Sequence, residues 1–417
     1  MAGGLKRRRS RADASCMHRR HSELTMAALV AGCLALGMGA IGLLTPAFTD
    51  YEVEAEPALQ ALRAGDVAAF LELAPAYGGS LVLRAPFALL PGLWEGGDLA
   101  LLRSMAAPCL LAGAILAVAV WARGRRLGRS RAACWMALAL IAANPLTLRA
   151  LEIGHPEELL GGVLCVAAAL CAGRGRAVPA GVLLGLAIAN KPWAVLAVVP
   201  VLAMLETGRL KLLATAAVSG SVVMLPLVLA GGAVQEAAAV ARTTSDIFQP
   251  WQVWWFLGEH GQVVLGSFGA KPDYRVGPEW LTGMAHPLVV LLPLVVSLAF
   301  LPRVRRLPSH DGLLLLALAL LLRCLLDPWN VSYYSLPFLL ALVTWEVHAE
   351  RRPPVLSLAA TLLCWITLVS LPSMAHPDLQ AAAYLAWAVP LACLMAVRLL
   401  GVPIGSGAPS PAPATAI

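Results

Sequence analysis

Charge is scarce in this sequence. Only 13% of its 417 residues are Asp, Glu, Lys or Arg, while 59% are hydrophobic; a soluble domain carries about 25% charged residues. So little charge cannot cover a surface in water, and the expected solvent is lipid. Cysteine patterns are missing too. Nine cysteines are present, but no C-x-x-C pair occurs, and all except Cys16 lie in or beside apolar runs. That excludes a disulfide framework and a cysteine-rich zinc site, and leaves small packing residues. There is no Walker loop, no H-E-x-x-H and no G-x-S-x-G element. No Asp-x-Asp accompanies Asp50 to hold a divalent ion, and the residues call for neither a metal nor a cofactor. The formal charge of +7 is read as topological, with no nucleic-acid partner expected.

What is present is apolar length. Runs long enough to be read as membrane spans lie near 26–47, 99–121, 132–150, 156–172, 178–190, 192–205, 212–231, 285–301, 311–327, 332–348, 354–371 and 380–400. The fifth and sixth are short, and read as a hairpin or as broken helices meeting at Lys191-Pro192. The expected fold is all-α, a polytopic bundle of about twelve spans. Its parts are a basic tail (1–25), a membrane domain (26–400) and a proline-rich disordered tail (401–417). The basic start resembles the charged region of a signal peptide, but no small-residue cleavage site follows, so a retained anchor is expected. Alternating the spans gathers most Lys and Arg on one side, which is then cytoplasmic together with both termini. The expected location is a cell membrane, crossed many times.

The chemistry-bearing stretches fall on the opposite, outer side. "LTPAFTDYEVEAEP" places Asp50, Glu52, Glu54 and Glu56 directly after the first span. Asp50 there either ends a helix in water or is a reactive group at a membrane surface. The loop 47–98 that follows reads as helices lying on the outer leaflet. "LEIGHPEELL" carries Glu152 and His155 three apart, with Gly154 and Pro156 arguing for a break between them. Glu157 and Glu158 then sit in the first turn of the next helix, either as simple dipole partners or as a polar lip. Lys191, in "NKPW", is either a snorkelling lysine or a cation for a phosphate group. In "LLRCLLDPWNVSYY", Arg323 lies inside a span and Asp327 is its expected i+4 partner, with Asn330 and Tyr334 on the following turn. Trp251, Trp254 and Trp255 sit among polar residues that include Asp246, and suit either headgroup anchoring or sugar stacking.

Together these features resemble the GT-C superfamily of membrane glycosyltransferases: an Asp at the outer end of the first span, a long outer loop with interfacial helices, and ten or more spans. "GHPEELLGGVLCVAAAL", "AGVLLGLAIANKPWAVLAVVPVL" and "DPWNVSYY" resemble glycosyltransferase family 87, which contains polyprenol-phosphate-mannose-dependent mannosyltransferases. One stretch departs: many members carry a Gly-Gln-x-Asn-like run where this chain has "GHPEE". The resemblance implies a hexose, mannose first, moved from a polyprenyl-phosphate donor to a lipid or glycan acceptor of the cell envelope. It implies Asp50 as general base, with Lys191 and Arg323 facing the phosphate and His155 assisting. The substrate-binding set expected around Asp50 is Glu52, Glu152, His155, Glu157, Glu158, Lys191, Trp251, Arg323, Asp327, Asn330 and Tyr334. The competing expectation is a transporter or flippase for a lipid-linked sugar, which would instead place polar groups along a path through the midplane.

Overall fold

In lipid a backbone must satisfy its own hydrogen bonds, so long apolar runs dictate helices. The computed structural model describes residues 2–42, 44, 50–90, 98–232, 247–260, 263–264, 270–271, 273–306 and 310–401. Residues 402–417 and Asp246 lie outside the described residues, as do the side chains of the basic segment up to Arg20.

The chain begins with α1 (Ala2–Gly42), whose apolar part is His21–Gly42. This helix ends five residues before the expected span end at 47, so Asp50 opens a separate element. That element is a π-helical turn (Tyr51–Ala55), followed by α2 (Glu56–Arg63), α3 (Val67–Glu72) and α4 (Gly78–Ala88). Then come α5 (Asp98–Arg126), α6 (Arg131–Ala142), α7 (Pro145–Ile153), α8 (Glu157–Ala172) and α9 (Ala177–Asn190). A 3₁₀ segment (Pro192–Ala197) leads into α10 (Val198–Ala203), so the chain does break at Lys191-Pro192. The remaining helices are α11 (Arg209–Ala230), α12 (Glu279–Val304), α13 (Asp311–Leu326), α14 (Leu336–Ala349), α15 (Val355–Trp365) and α16 (Pro377–Leu399).

The all-α reading holds, with small exceptions between α11 and α12. There β1 (Ile247–Phe248) and β2 (Glu259–His260) both pair antiparallel with a strand at Arg275–Val276, and Val263–Val264 pairs with Ala270–Lys271.

The count of twelve crossing helices is not obtained. Among the described residues seven segments are long and apolar enough to cross: His21–Gly42, Ala100–Arg126, Arg131–Ile153, Arg209–Ala230, Pro287–Val304, Val355–Ser373 and Pro377–Leu399. The other expected runs became shorter helices. A 16-residue helix such as α8 or α13 spans only about 24 Å against a hydrocarbon core of about 30 Å. Apolarity alone did not separate the two kinds, because α13 and α14 are apolar on every face for another reason: nearly all their residues are buried inside the bundle.

Helix association in lipid depends on close packing rather than on water exclusion, so small residues mark the contacts. On α9, Gly181 and Gly185 lie one turn apart against α11. A Cβ on Gly185 would come within 2.2 Å of the Ala216 carbonyl oxygen. At the other end of α9, a Cβ on Gly79 of α4 would come within 2.1 Å of the Ala189 carbonyl oxygen. That approach seats α4 beside the break at Lys191.

Candidate active site

The site begins at the end of α7. Gly154 terminates the helix with φ +102°, and its N–H and that of His155 both return to the Ala150 carbonyl. Only glycine takes this backbone at low cost. A Cβ here would also lie 2.5 Å from the Tyr51 Cβ. The turn therefore does two things at once: it aims His155 and it docks the segment carrying Asp50. Gly154→Ala is expected to lose stability from the left-handed backbone, roughly 1–2 kcal/mol, and from the clash, roughly 1–3 kcal/mol more. Gly175→Ala is the control, since Gly175 has φ +72° and nothing within 4 Å of the Cβ position. Thermal unfolding should separate the two variants; equal midpoints would mean that Tyr51 does not pack on this turn.

His155 is buried between two carboxylates. Its Nε2 lies 3.2 Å from Asp50 Oδ2 and its Nδ1 2.6 Å from Glu157 Oε1. The ring also meets the edge of Tyr77, with centroids 5.4 Å apart, and the Tyr333 ring at 4.9 Å. Burial alone would lower its pKa, but the Glu157 charge and the hydrogen bonds the ring donates to Asp50 and Glu157 prevail against Lys191 and push it up to about 9. Burial, with the Glu157 and Glu54 charges behind it, lifts the Tyr77 hydroxyl well above the usual tyrosine value, so that phenol stays protonated.

Glu157 and Glu158 start α8, where the dipole favours carboxylates, yet both are fully buried. Buried carboxylates need partners, and three other segments supply them. Lys191 Nζ is 3.1 Å from Glu157 Oε1 and 3.8 Å from Glu158 Oε1. Arg84, from α4, is 3.2 Å from Glu157 Oε2. Arg323, from α13, is 3.4 Å from Glu158, and its guanidinium lies over the Trp193 and Tyr334 rings. Trp193 Nε1 donates to Glu158 at 3.1 Å, and Asn190 Nδ2 donates to the Glu157 carbonyl at 2.9 Å. These bonds tie the break at Lys191 to the start of α8.

Of the residues expected from the sequence, Asp50, His155, Glu157, Glu158, Lys191, Arg323 and Tyr334 come together. Others fall elsewhere. Glu52 is exposed. Glu152 pairs with Arg149 on its own helix, because that helix stops before reaching His155. Arg323 makes its ion pair with Glu158 from another helix, while the Asp327 charge still acts on it. Helix α13 ends at Leu326, Asp327 is extended, and its carboxylate accepts the Trp329 N–H at 2.9 Å. Trp251 is 8% exposed, with its indole packed in the helix core, and its carbonyl accepts Asn330 Nδ2 at 2.7 Å. Asn330 also reaches the Tyr384 hydroxyl at 3.3 Å. This pair fastens the tryptophan-rich loop to the end of α13, a contact repeated by the Gln249 N–H on the Pro328 carbonyl.

Three groups escaped the sequence reading. Arg84 had a usable signal, a lone cation in the apolar stretch "GGSLVLRAPF". Tyr77, whose ring carries Lys191 Nζ at 3.8 Å from its centroid, had none. Glu54, which the sequence places only among the carboxylates after the first span, is half-buried and within electrostatic reach of Tyr77 and Tyr333.

The arrangement is a rim carboxylate, Asp50, standing on a buried imidazole and backed by Lys191, Arg84 and Arg323. Proton transfer at a rim carboxylate, backed by a buried ion-paired cluster, is the chemistry it offers. No curated protein and no solved structure matches the chain. The model of glycosyltransferase family 87 matches residues 79–328, which include His155, Glu157, Glu158, Lys191, Arg84 and Arg323. Because that match covers more than half of a chain built around apolar helices of membrane-crossing length, this protein belongs to glycosyltransferase family 87 and is a membrane glycosyltransferase.

Proposed function

We propose that this enzyme moves a hexose, mannose in the first instance, from a polyprenyl-phosphate donor to a hydroxyl of a lipid or glycan acceptor, with Asp50 as the general base. One observation carries this reading. Within the ion-paired cluster, the Asp50 side chain is 31% exposed, whereas those of His155, Glu157, Lys191, Arg84 and Arg323 are 11% or less. Asp50 is thus the member that an incoming hydroxyl can reach. The acceptor oxygen attacks the anomeric carbon and its proton passes to Asp50. The bond from that carbon to the phosphate oxygen breaks, and the phosphate leaves with the electron pair. Lys191 is the most exposed of the three cations and is the one offered to the leaving phosphate; Arg84 and Arg323 hold Glu157 and Glu158 in place. A lipid donor explains why the site lies among apolar helices. The gathering of basic residues away from these stretches supports a site on the outer face.

The test is transfer in proteoliposomes. Purified protein receives radiolabelled polyprenyl-phosphate-mannose and a membrane lipid extract, and products are resolved by chromatography and mass. Label in a new glycolipid or glycan, with none from a nucleotide-sugar donor, is expected. Transfer from the nucleotide sugar alone would sink the donor assignment. Movement of the intact donor across the bilayer without a glycosidic product would favour the flippase reading.

A further inference from the structure

The clamp on His155 has a chemical consequence. A neutral imidazole owns one N–H. Here both ring nitrogens face carboxylate oxygens, Nε2 at 3.2 Å from Asp50 and Nδ1 at 2.6 Å from Glu157. A neutral ring would set one lone pair against a carboxylate lone pair. With both carboxylates ionised, only the imidazolium satisfies both contacts.

We propose that His155 is a positioning residue that works as a doubly donating cation, held by Glu157 and Arg84 behind it, and that it fixes the Asp50 carboxylate for the acceptor. The inference rests on the reading of Asp50 as the base. The contact engages Asp50 Oδ2; among the described residues Oδ1 accepts no hydrogen bond and is the oxygen left for the acceptor proton. The ring cannot turn away, because Tyr77 lies on one side and Tyr333 on another. Glu157 cannot swing out, because Lys191 and Arg84 each take one of its oxygens.

The charges facing the ring come from several elements: Asp50 at the entry to the π-helical turn, Glu157 from α8 and Lys191 from the break after α9, with Glu54 beside Tyr333, Arg84 behind Glu157 and Glu158 behind Lys191 one contact further out. Lys191 opposes the cation, and Glu157 and Asp50 favour it. In the reaction the proton leaves the acceptor oxygen for Asp50 Oδ1. His155 keeps both of its protons throughout and takes none. This separates it from a general-base histidine, which must be neutral to act.

The two roles predict opposite pH behaviour. A positioning cation works below its pKa and fails above it, so kcat/KM should fall along an alkaline limb near pH 9. His155→Gln keeps one donor but no charge. It should lower kcat by about 10²-fold, the scale of a misplaced catalytic group, change the KM for donor less than about twofold, and abolish the alkaline limb. A wild-type profile that rises through pH 7 and stays flat to pH 10 would overturn the proposal. So would an alkaline limb that persists unchanged in His155→Gln, since another group would then be titrating. If the Gln variant does not fold, NMR titration of the wild-type His155 ring decides instead: a ring that is already neutral at pH 7 overturns the proposal, and one that stays protonated until the alkaline limb supports it. Asp50→Asn separates the two readings: if it stays active, the base assignment fails; if it is silent while His155→Gln keeps the wild-type rate and profile, only the clamp fails.

Discussion

Asp50→Asn is expected to lower kcat/KM for sugar transfer by about 10²- to 10⁴-fold, the usual contribution of a positioned general base, with little change in stability. The asymmetry follows from where the residue stands. Asp50 precedes the π-helical turn but makes no side-chain cap bond to it. It is the exposed end of the chain of pairs rather than a buried link. Asparagine is isosteric, and its amide oxygen still accepts from His155 Nε2. Only the charge and the proton affinity are lost. Asp50 is the partly exposed partner of His155, so losing its charge should cost less than breaking a fully buried pair, and thermal unfolding of the two proteins in one detergent should differ only modestly. The kinetic assay is single-turnover transfer from polyprenyl-phosphate-mannose, which separates chemistry from product release. If the stable Asn variant transfers at near the wild-type rate, Asp50 is only the entry to a helical turn. The base would then be sought first at Glu54, which the π-helical turn brings half-buried toward Tyr77. Glu157 and Glu158 are poorer choices, since each is already engaged by cations in the interior.

Much of this site was readable as charge in the wrong place. Asp50, His155, Glu157, Glu158, Lys191 and Arg323 each interrupt or border an apolar run, and in a chain with so little charge such interruptions are informative. Which of them touch was less readable. Arg323 and Asp327 satisfy the i+4 rule, yet that rule holds only while the helix continues, and it stops at Leu326. Glu158, 165 residues away in sequence, arrives from another helix and takes the guanidinium instead. The partner of Arg84 was unreadable for the same reason: it lies 73 residues further on, and no local period encodes that pairing. The helix class followed directly from apolarity, but the number of crossings did not. Burial among other helices and contact with lipid make the same demand on a side chain, so the apolarity of α13, buried along almost its whole length, does not count a crossing.

Removing Glu157 should have the largest effect on stability, because that side chain holds three groups at once. His155 and Lys191 meet Oε1 and Arg84 meets Oε2, and the carboxylate is fully buried. Taking away one partner of a buried ion pair costs about 3–5 kcal/mol, since the remaining charge stays out of water without compensation. Glu157→Gln keeps the shape and leaves Arg84, Lys191 and His155 facing one anion fewer. The expected result is a large drop in thermal midpoint. Arg84→Met should also destabilise, but the double variant should lose less than the sum of the two, because each removes the charge that the other strands. Additivity within about 0.5 kcal/mol would mean that the two side chains do not interact. A second readout ties this pair to the chemistry. The folded-state pKa of His155 lies above its ordinary value of 6.5, at about 9. Its stabilising contribution is therefore complete below pH 6.5 and is lost as pH rises through 9. Glu157 is the main charge that raises it. Wild-type stability should fall across that window, and the fall should flatten in Glu157→Gln, because a histidine without its anion titrates closer to its unfolded value. A wild-type slope that survives unchanged in the variant would show that the imidazolium does not depend on Glu157.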